Sequence, residues 1–400
     1  MQTVLKSCKA LTIVVLAVAT FSCGGGSSNE AVVDLIPVFD GERYTYINNK
    51  GMAEVIPEAE VIETSAFRGG YALVGVSVTE EGNRFSKTKY GFIDRSGKLV
   101  IPVQYMEATI FSEGLAWVKT DDKAFIAIDK TGKEIIRLPE NVVSIRIFRE
   151  GLAAFQSNER RWGYIDKQGT VVIEPTYKSV NNFSNGLAAV TDVREKCSYI
   201  DKNGQTVIPA QFSTAYDFMD DGYAVVGISD GGRWGEMEYG VIDRKGEFVF
   251  GNPSGFLLAD GDGFYADITS GDDEKQRFGY LNRKGERILP DGINLAAPFW
   301  GSNYAKAIFD GDDFYSIIDR KGKKIAELHE GYNIIHPFTN GMAVVRKGFR
   351  AGDGMAIMNE KGETLLDLPY PADVADDYLS DWAYMMPERL RIGLYGSINK

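Results

Sequence analysis

One phrase recurs nine times along the chain: an apolar residue, Asp or Asn, two further residues and Gly. It reads Ile47-Asn48-Asn49-Lys50-Gly51 first and Ile93-Asp94-Arg95-Ser96-Gly97 next. It returns at Ile128-Asp129 with Gly132, Ile165-Asp166 with Gly169, Ile200-Asp201 with Gly204 and Ile242-Asp243 with Gly246. Leu281-Asn282 with Gly285, Ile318-Asp319 with Gly322 and Met358-Asn359 with Gly362 complete the series. The Asp/Asn positions are 46, 35, 37, 35, 42, 39, 37 and 40 residues apart, and a tenth start, Tyr395-Gly396-Ser397-Ile398-Asn399-Lys400, follows 40 residues after Asn359. Self-similarity at this period is the mark of a repeat architecture. The phrase itself is a turn. Asp or Asn bonds its own backbone two residues on, and Gly takes the positive φ that closes a type I turn with a bulge. Each phrase therefore joins two antiparallel strands, A before it (Trp162-Gly163-Tyr164-Ile165) and B after it (Thr170-Val171-Val172-Ile173).

A second phrase, Phe-x-x-Gly-x-Ala, precedes a third strand, C. It occurs at Phe67/Gly70/Ala72, Phe111/Gly114/Ala116, Phe148/Gly151/Ala153, Phe183/Gly186/Ala188 and Phe338/Gly341/Ala343, with looser copies from Phe218 to Ala224 and from Phe299 to Ala305. Each unit then reads as a C-A-B meander of three short strands. Pro57, Pro102, Pro175, Pro209 and Pro290 fall at or just past the end of strand B. Proline cannot donate to a ladder, which places strand B on the rim of its unit. A single meander buries one face and is marginal alone. Stacked copies bury a continuous core of Phe, Ile, Val and Ala. The expected fold class is all-β, tandem three-stranded antiparallel units in a β-propeller-like array. The alternative is an open β-superhelix or solenoid, and pattern alone leaves closure open.

The phrases Trp162-Gly163-Tyr164-Ile165-Asp166 and Phe183-Ser184-Asn185-Gly186-Leu187-Ala188 resemble the bacterial WG (Trp-Gly) repeat family, over about residues 44–400. Tyr90-Gly91, Tyr239-Gly240 and Phe278-Gly279 substitute for the Trp-Gly pair, and Ala124-Phe125 and Tyr315-Ser316 depart further from it. The resemblance implies a repeat scaffold with no shared catalytic site, and it implies no substrate.

The N-terminus carries a different signal. Lys6 and Lys9 are the only charged side chains before Cys23, and an apolar run from Ala10 to Phe21 follows. That run is shorter than the roughly 20 residues of a transmembrane helix. Thr20-Phe21-Ser22-Cys23, followed by Gly24-Gly25-Gly26-Ser27-Ser28, resembles the lipobox of bacterial lipoproteins. The expectation is a signal peptide over residues 1–22, lipidation at Cys23, a flexible tether over 23–33 and the repeat array over 34–400. Several acyl chains give a stable anchor. The protein is then an exported lipoprotein of the bacterial outer membrane, with its periplasmic or cell-surface side left open. Cys197 remains without a disulfide partner and reads as a small buried hydrophobe.

The formal charge is -12, or -14 once Lys6 and Lys9 leave with the signal. Such a body repels nucleic acid, which is excluded as a partner. His329 and His336 are the only histidines, too few for a zinc site, and no nucleophile-elbow phrase is present. The glycines sit in turn phrases rather than before helices, so no phosphate loop is read. Asp260-Gly261-Asp262-Gly263 and Asp310-Gly311-Asp312-Asp313 resemble fragments of calcium loops, but the twelve-residue spacing is absent. No catalytic residue, metal or cofactor is assigned.

Repeat length varies at one link, between strand C and the next strand A. The long versions run Thr79 to Thr88, Ser229 to Glu238, Thr269 to Gln276 and Lys347 to Gly354, whereas Thr120 to Lys123 closes tightly. Loops at equivalent positions of a stacked array share one face, and loops on a rigid scaffold carry binding. Arg233-Trp234 lies inside one insertion, because Tyr239-Gly240 already fills the strand-A position, and Arg84-Phe85 lies inside another. Arg84, Phe85, Arg233 and Trp234 are the candidate ligand-binding residues, since exposed aromatics and Arg are typical anchors. Trp117, Trp162 and Trp300 fall in repeat phrases and read as packing, and Trp382 as part of the last strand C. The expected role is a non-catalytic binding or scaffold lipoprotein facing a protein or glycan partner. The alternatives are a lectin-like carbohydrate-binding module and a hydrolase housed in a propeller pocket.

Overall fold

The computed structural model describes residues 33–371 except 40–41, 80–84, 230–236, 253–256, 261–262, 270–275, 291, 297–298, 300–301, 330, 335–337, 339–340 and 349–353. Every regular element among the described residues is a β-strand, apart from short turns. The turn chemistry is as the phrase dictates. In the second unit Asp94 Oδ1 accepts from Ser96 N at 2.8 Å, Gly97 N donates to Asp94 O at 2.9 Å, and Gly97 has φ +82°. The ladder shifts register beside the turn, as at Ile165↔Val171 and Ile200↔Thr206, which is the bulge that such a turn produces.

Strands C, A and B are present in every unit but the seventh, which shows only a Leu281–Arg287 bridge where strand B would run, and from the second unit on a short leading strand is added before the Phe-x-x-Gly phrase. The fourth unit is typical: Val142–Ile145, Leu152–Ser157 (C), Trp162–Asp166 (A) and Val171–Tyr177 (B), hydrogen-bonded in that order. The leading strand is only two residues long in Ser179–Val180. Strand B ends the hydrogen-bonded order in the same way in the third, fifth, sixth, eighth and ninth units. Pro102, Pro175 and Pro209 stand within strands Leu99–Tyr105, Val171–Tyr177 and Thr206–Phe212 rather than past them. The edge position permits this, because an outward N–H has no ladder partner to lose.

Nine such units can be followed among the described residues. In the units whose side chains are described, the central strands are buried on both faces, and alternate residues serve opposite neighbours. In strand Met342–Arg346, Met342 and Val344 join one core cluster while Ala343 and Val345 join the next. Trp117 packs towards the fourth unit while Ala116 and Val118 pack towards the second. Period-two alternation thus builds a face-to-face stack instead of one wet and one dry face.

The stack closes. Strand Val33–Phe39 takes the strand-C place of the first unit, pairing with Tyr44–Ile47, and its start also pairs with Phe67–Arg68 of the second unit. Leu35, Ile36, Tyr44, Tyr46 and Val55 of the first unit share a core with Met342, Val344, Met355, Ile357 and Leu368 of the ninth. The turn glycines repeat the same relation. A methyl on Gly132 would meet Ile101 of the preceding unit, one on Gly204 would meet Ile173, and one on Gly362 would meet Ala326. On Gly51 of the first unit it would lie 3.0 Å from Leu365 Cβ of the ninth. The fold is a β-propeller-like ring rather than an open superhelix. Residues 1–32 and 372–400, with Cys23, Trp382 and the tenth phrase start, lie outside the described residues.

Candidate functional site

The antiparallel meander gives the ring two unlike faces. A–B turns and Phe-x-x-Gly loops lie at one end of each sheet, and C–A hairpins lie at the other. In the fifth unit Ala188↔Ile200 is the pair near the turn and Thr191↔Cys197 the pair near the hairpin.

The turn face is knitted across units. Glu113 of the third unit accepts from Gly151 N at 3.0 Å and pairs with Lys167 at 3.0 Å, both from the fourth. Glu150 accepts from Gly186 N at 2.9 Å and pairs with Lys202 at 3.1 Å, both from the fifth. Arg244 Nη1 donates to Asn185 O at 2.6 Å, and Arg283 pairs with Asp221 at 2.9 Å. Tyrosines of strand A add deeper stitches. Tyr164 Oη donates to Asn181 O at 2.5 Å and Tyr199 Oη to Tyr216 O at 2.7 Å, each in the next unit. Burial drives both phenols well above their ordinary pKa, so they remain donors. The bridging cations follow the turn Asp or Asn directly, a position held by Arg95, Lys130, Lys167, Lys202, Arg244, Arg283 and Arg320. That periodic charge was the signal from which this ladder is legible.

The opposite face carries the hairpins. Phe85, a sequence candidate, is 80% exposed on the tip joining strands Tyr71–Val78 and Lys87–Asp94. Arg84, Arg233 and Trp234 lie outside the described residues. Thr79 and Ser86 hydroxyls bond at 3.0 Å across the base of the Phe85 loop. Below it, Lys89 is buried and pairs with Asp121 of the third unit's tight hairpin. Glu63 bonds Tyr90 there, and burial raises the Glu63 carboxyl above its usual range. Charge thus anchors the hairpin base while the aromatic tip stands clear.

Sequence reasoning missed one residue on this face. Val193 is 62% exposed on the tight hairpin Asp192-Val193-Arg194-Glu195 of the fifth unit. Phe85 and Val193 are the two most exposed large hydrophobic side chains among those described. Its signal was an apolar residue inside an otherwise charged turn.

The remaining candidates resolve as follows. Trp117 is buried and stacked on Phe148, centroids 5.4 Å apart, and Trp162 lies under the Arg146 guanidinium at 4.6 Å. Trp300 lies outside the described residues. Cys197 is buried, and that burial raises its thiol pKa, as for a packing residue. His329 is exposed and edge-on to Tyr332, while His336 lies outside the described residues. Asp312 pairs with Lys324 at 2.5 Å, which makes the Asp310–Asp313 stretch a salt-bridged turn. Among the described residues, no group of three or more His, Cys, Asp or Glu side chains is placed to hold a metal ion.

Four segments, residues 90–123, 162–196, 198–232 and 315–348, match the family model of the WG containing repeat. No curated protein matches the chain in sequence. Among solved structures the chain is similar to one titled as the crystal structure of the eukaryotic initiation factor. The TM-score is 0.51 at 11% identity, over 76% of this chain and 85% of that one. It is similar also to BamB from Moraxella catarrhalis (TM-score 0.39, 13% identity, 70% and 92% covered) and to dipeptidyl peptidase 4 from Porphyromonas gingivalis (TM-score 0.43, 12% identity, 87% and 61% covered). At such identities the first likeness concerns the fold alone.

Proposed function

We propose that this array of WG-containing repeats is a non-catalytic binding scaffold of the bacterial cell envelope, tethered through lipid on Cys23 and presenting its C–A hairpins to a protein or glycan partner. One observation carries the reading: Phe85 and Val193 stand exposed on hairpin tips of the same face. Large apolar tips in water are costly without a partner and serve as anchors when one docks. The opposite face supports the reading by contrast, because its polar groups are engaged between units. Rigid sheets with variable loops at one end are a common arrangement for recognition. A glycan partner is favoured by Phe85 in particular, whose open ring suits stacking against a sugar face.

The test compares capture from envelope extract by the intact chain, by Phe85→Ala with Val193→Asp, and by a chain with the Ser229 to Glu238 loop shortened. The double substitution is expected to weaken a captured partner about tenfold or more, as loss of a hot-spot contact does. Equal affinity in all three would contradict the hairpin face. Cys23→Ser is expected to move the protein from the membrane fraction to the soluble one, and retention would contradict the lipid tether.

A further inference from the structure

Strand C places one residue of each unit against the following sheet, directly before its second inward position. In six units that residue is apolar and buried: Leu73, Trp117, Ala154, Ala189, Val225 and Val344. In the eighth unit the same register position, opposite Ile317, is Lys306. Ile317 belongs to the core between the eighth and ninth units, with Leu328, Ile334 and Phe338, against which Tyr304, Tyr315 and Tyr332 pack. Lys306 Nζ donates to Asn333 Oδ1 of the ninth unit at 2.8 Å and stands 5.0 Å from the centre of the Tyr315 ring. Among the described residues it forms no ion pair, in a protein with 56 acidic side chains. The residue as a whole keeps partial exposure.

We propose that Lys306 is a carbonyl-capture site, whose ε-amine condenses reversibly with a small aldehyde. The nitrogen lone pair attacks the carbonyl carbon and forms the C–N bond. Proton transfer from nitrogen to oxygen gives the carbinolamine, and loss of the hydroxyl with a proton releases one water and leaves the C=N bond. No oxidant or reductant is needed. The surroundings suit each state. Asn333 accepts an N–H and orients the amine, and a protonated imine keeps the cation–π contact with Tyr315 that the ammonium has. A lysine desolvated beside aromatics, with no carboxylate partner among the described residues, is of the type that forms Schiff bases. Burial pushes its pKa down to about 8, so a substantial fraction is free amine near neutrality.

The test is made on the full chain, with glyceraldehyde as the probe and sodium cyanoborohydride to trap the imine. Peptide mass spectrometry then gives the labelling rate of each lysine from pH 6.5 to 10. A pKa about 2.5 below that of free lysine gives roughly 200-fold more free amine at pH 7.5. Lower basicity offsets part of this gain, and Lys306 is expected to label about tenfold faster than Nα-acetyl-lysine amide added to the same mixture, levelling off by about pH 9 while the free amine's rate keeps rising. Lys306→Met, checked for native circular dichroism, is expected to lose that adduct and no other. A Lys306 rate equal to or below that of the added lysine amide, or one that climbs with it to pH 10, would overturn the proposal. It does not depend on the hairpin face, so either reading can fail alone.

Discussion

At the scale of single residues, the repeat is a turn made nine times. Asp or Asn supplies the side-chain acceptor, and Gly supplies a backbone that other residues adopt only with strain. Gly97 carries two constraints, because at φ +82° a methyl would also overlap the Ile56 carbonyl oxygen of the preceding unit. Gly114, at φ +88°, faces open space. Gly114→Ala is therefore expected to cost about 1 kcal/mol from backbone strain alone. Gly97→Ala is expected to cost clearly more, and urea unfolding midpoints compare the two. Equal losses would mean that the Gly97–Ile56 approach between units is not made. These turns were legible in the sequence because their chemistry is local, complete within five residues. Val193 was not, since nothing within Asp192-Val193-Arg194-Glu195 states whether a short apolar side chain folds under or stands out.

At the scale of elements, strands A, B and C could be read from period-two patterns bounded by turn phrases. The leading strand could not. A two-residue element such as Ser179–Val180 is defined by its neighbour, here Thr191 and Val190, and has no periodicity of its own. The ladder between units was half legible, its cations periodic and its acceptors on another phrase. Glu113→Ala removes the carboxylate that accepts from Gly151 N and pairs with Lys167, leaving Lys167 its bond to the residue 113 carbonyl, and is expected to cost about 1–2 kcal/mol, part of it lost in high salt because Lys167 and Glu113 are partly exposed. A salt-independent loss would place the effect in packing instead. Lys306 gives an element-level pH dependence. Its folded value of about 8 lies below that of free lysine, so the unfolded chain binds more protons between the two. Stability therefore rises with pH across this window. The cost of the buried cation is full below about pH 8 and gone above about pH 10. Lys306→Met is expected to resist urea better than the parent at pH 7, by about 1–3 kcal/mol, with the gap closing by pH 10. A gap that does not change with pH would show that Lys306 is not desolvated.

At the scale of the whole molecule, closure of the ring brings the first and ninth units together. Local phrases specify units and their stacking but carry no statement about how many units complete a turn. The seam joins residues more than 300 apart in sequence, Leu35, Ile36, Val344 and Ile357 falling in one buried cluster. Closure also fixes what the faces mean, because only a ring gathers all hairpins at one end around a common axis. The direct measurement is a disulfide across the seam. In a chain with its three cysteines replaced, Gly51→Cys and Leu365→Cys place two Cβ atoms 3.0 Å apart, somewhat closer than the roughly 3.5–4.5 Å of a disulfide, so the bond forms with a small outward shift at the seam. Oxidation is expected to yield an internally crosslinked monomer that migrates faster without reductant and recovers its mobility with it. Free thiols, or crosslinks formed only between molecules, would show that the first and ninth units do not meet and that the array is open.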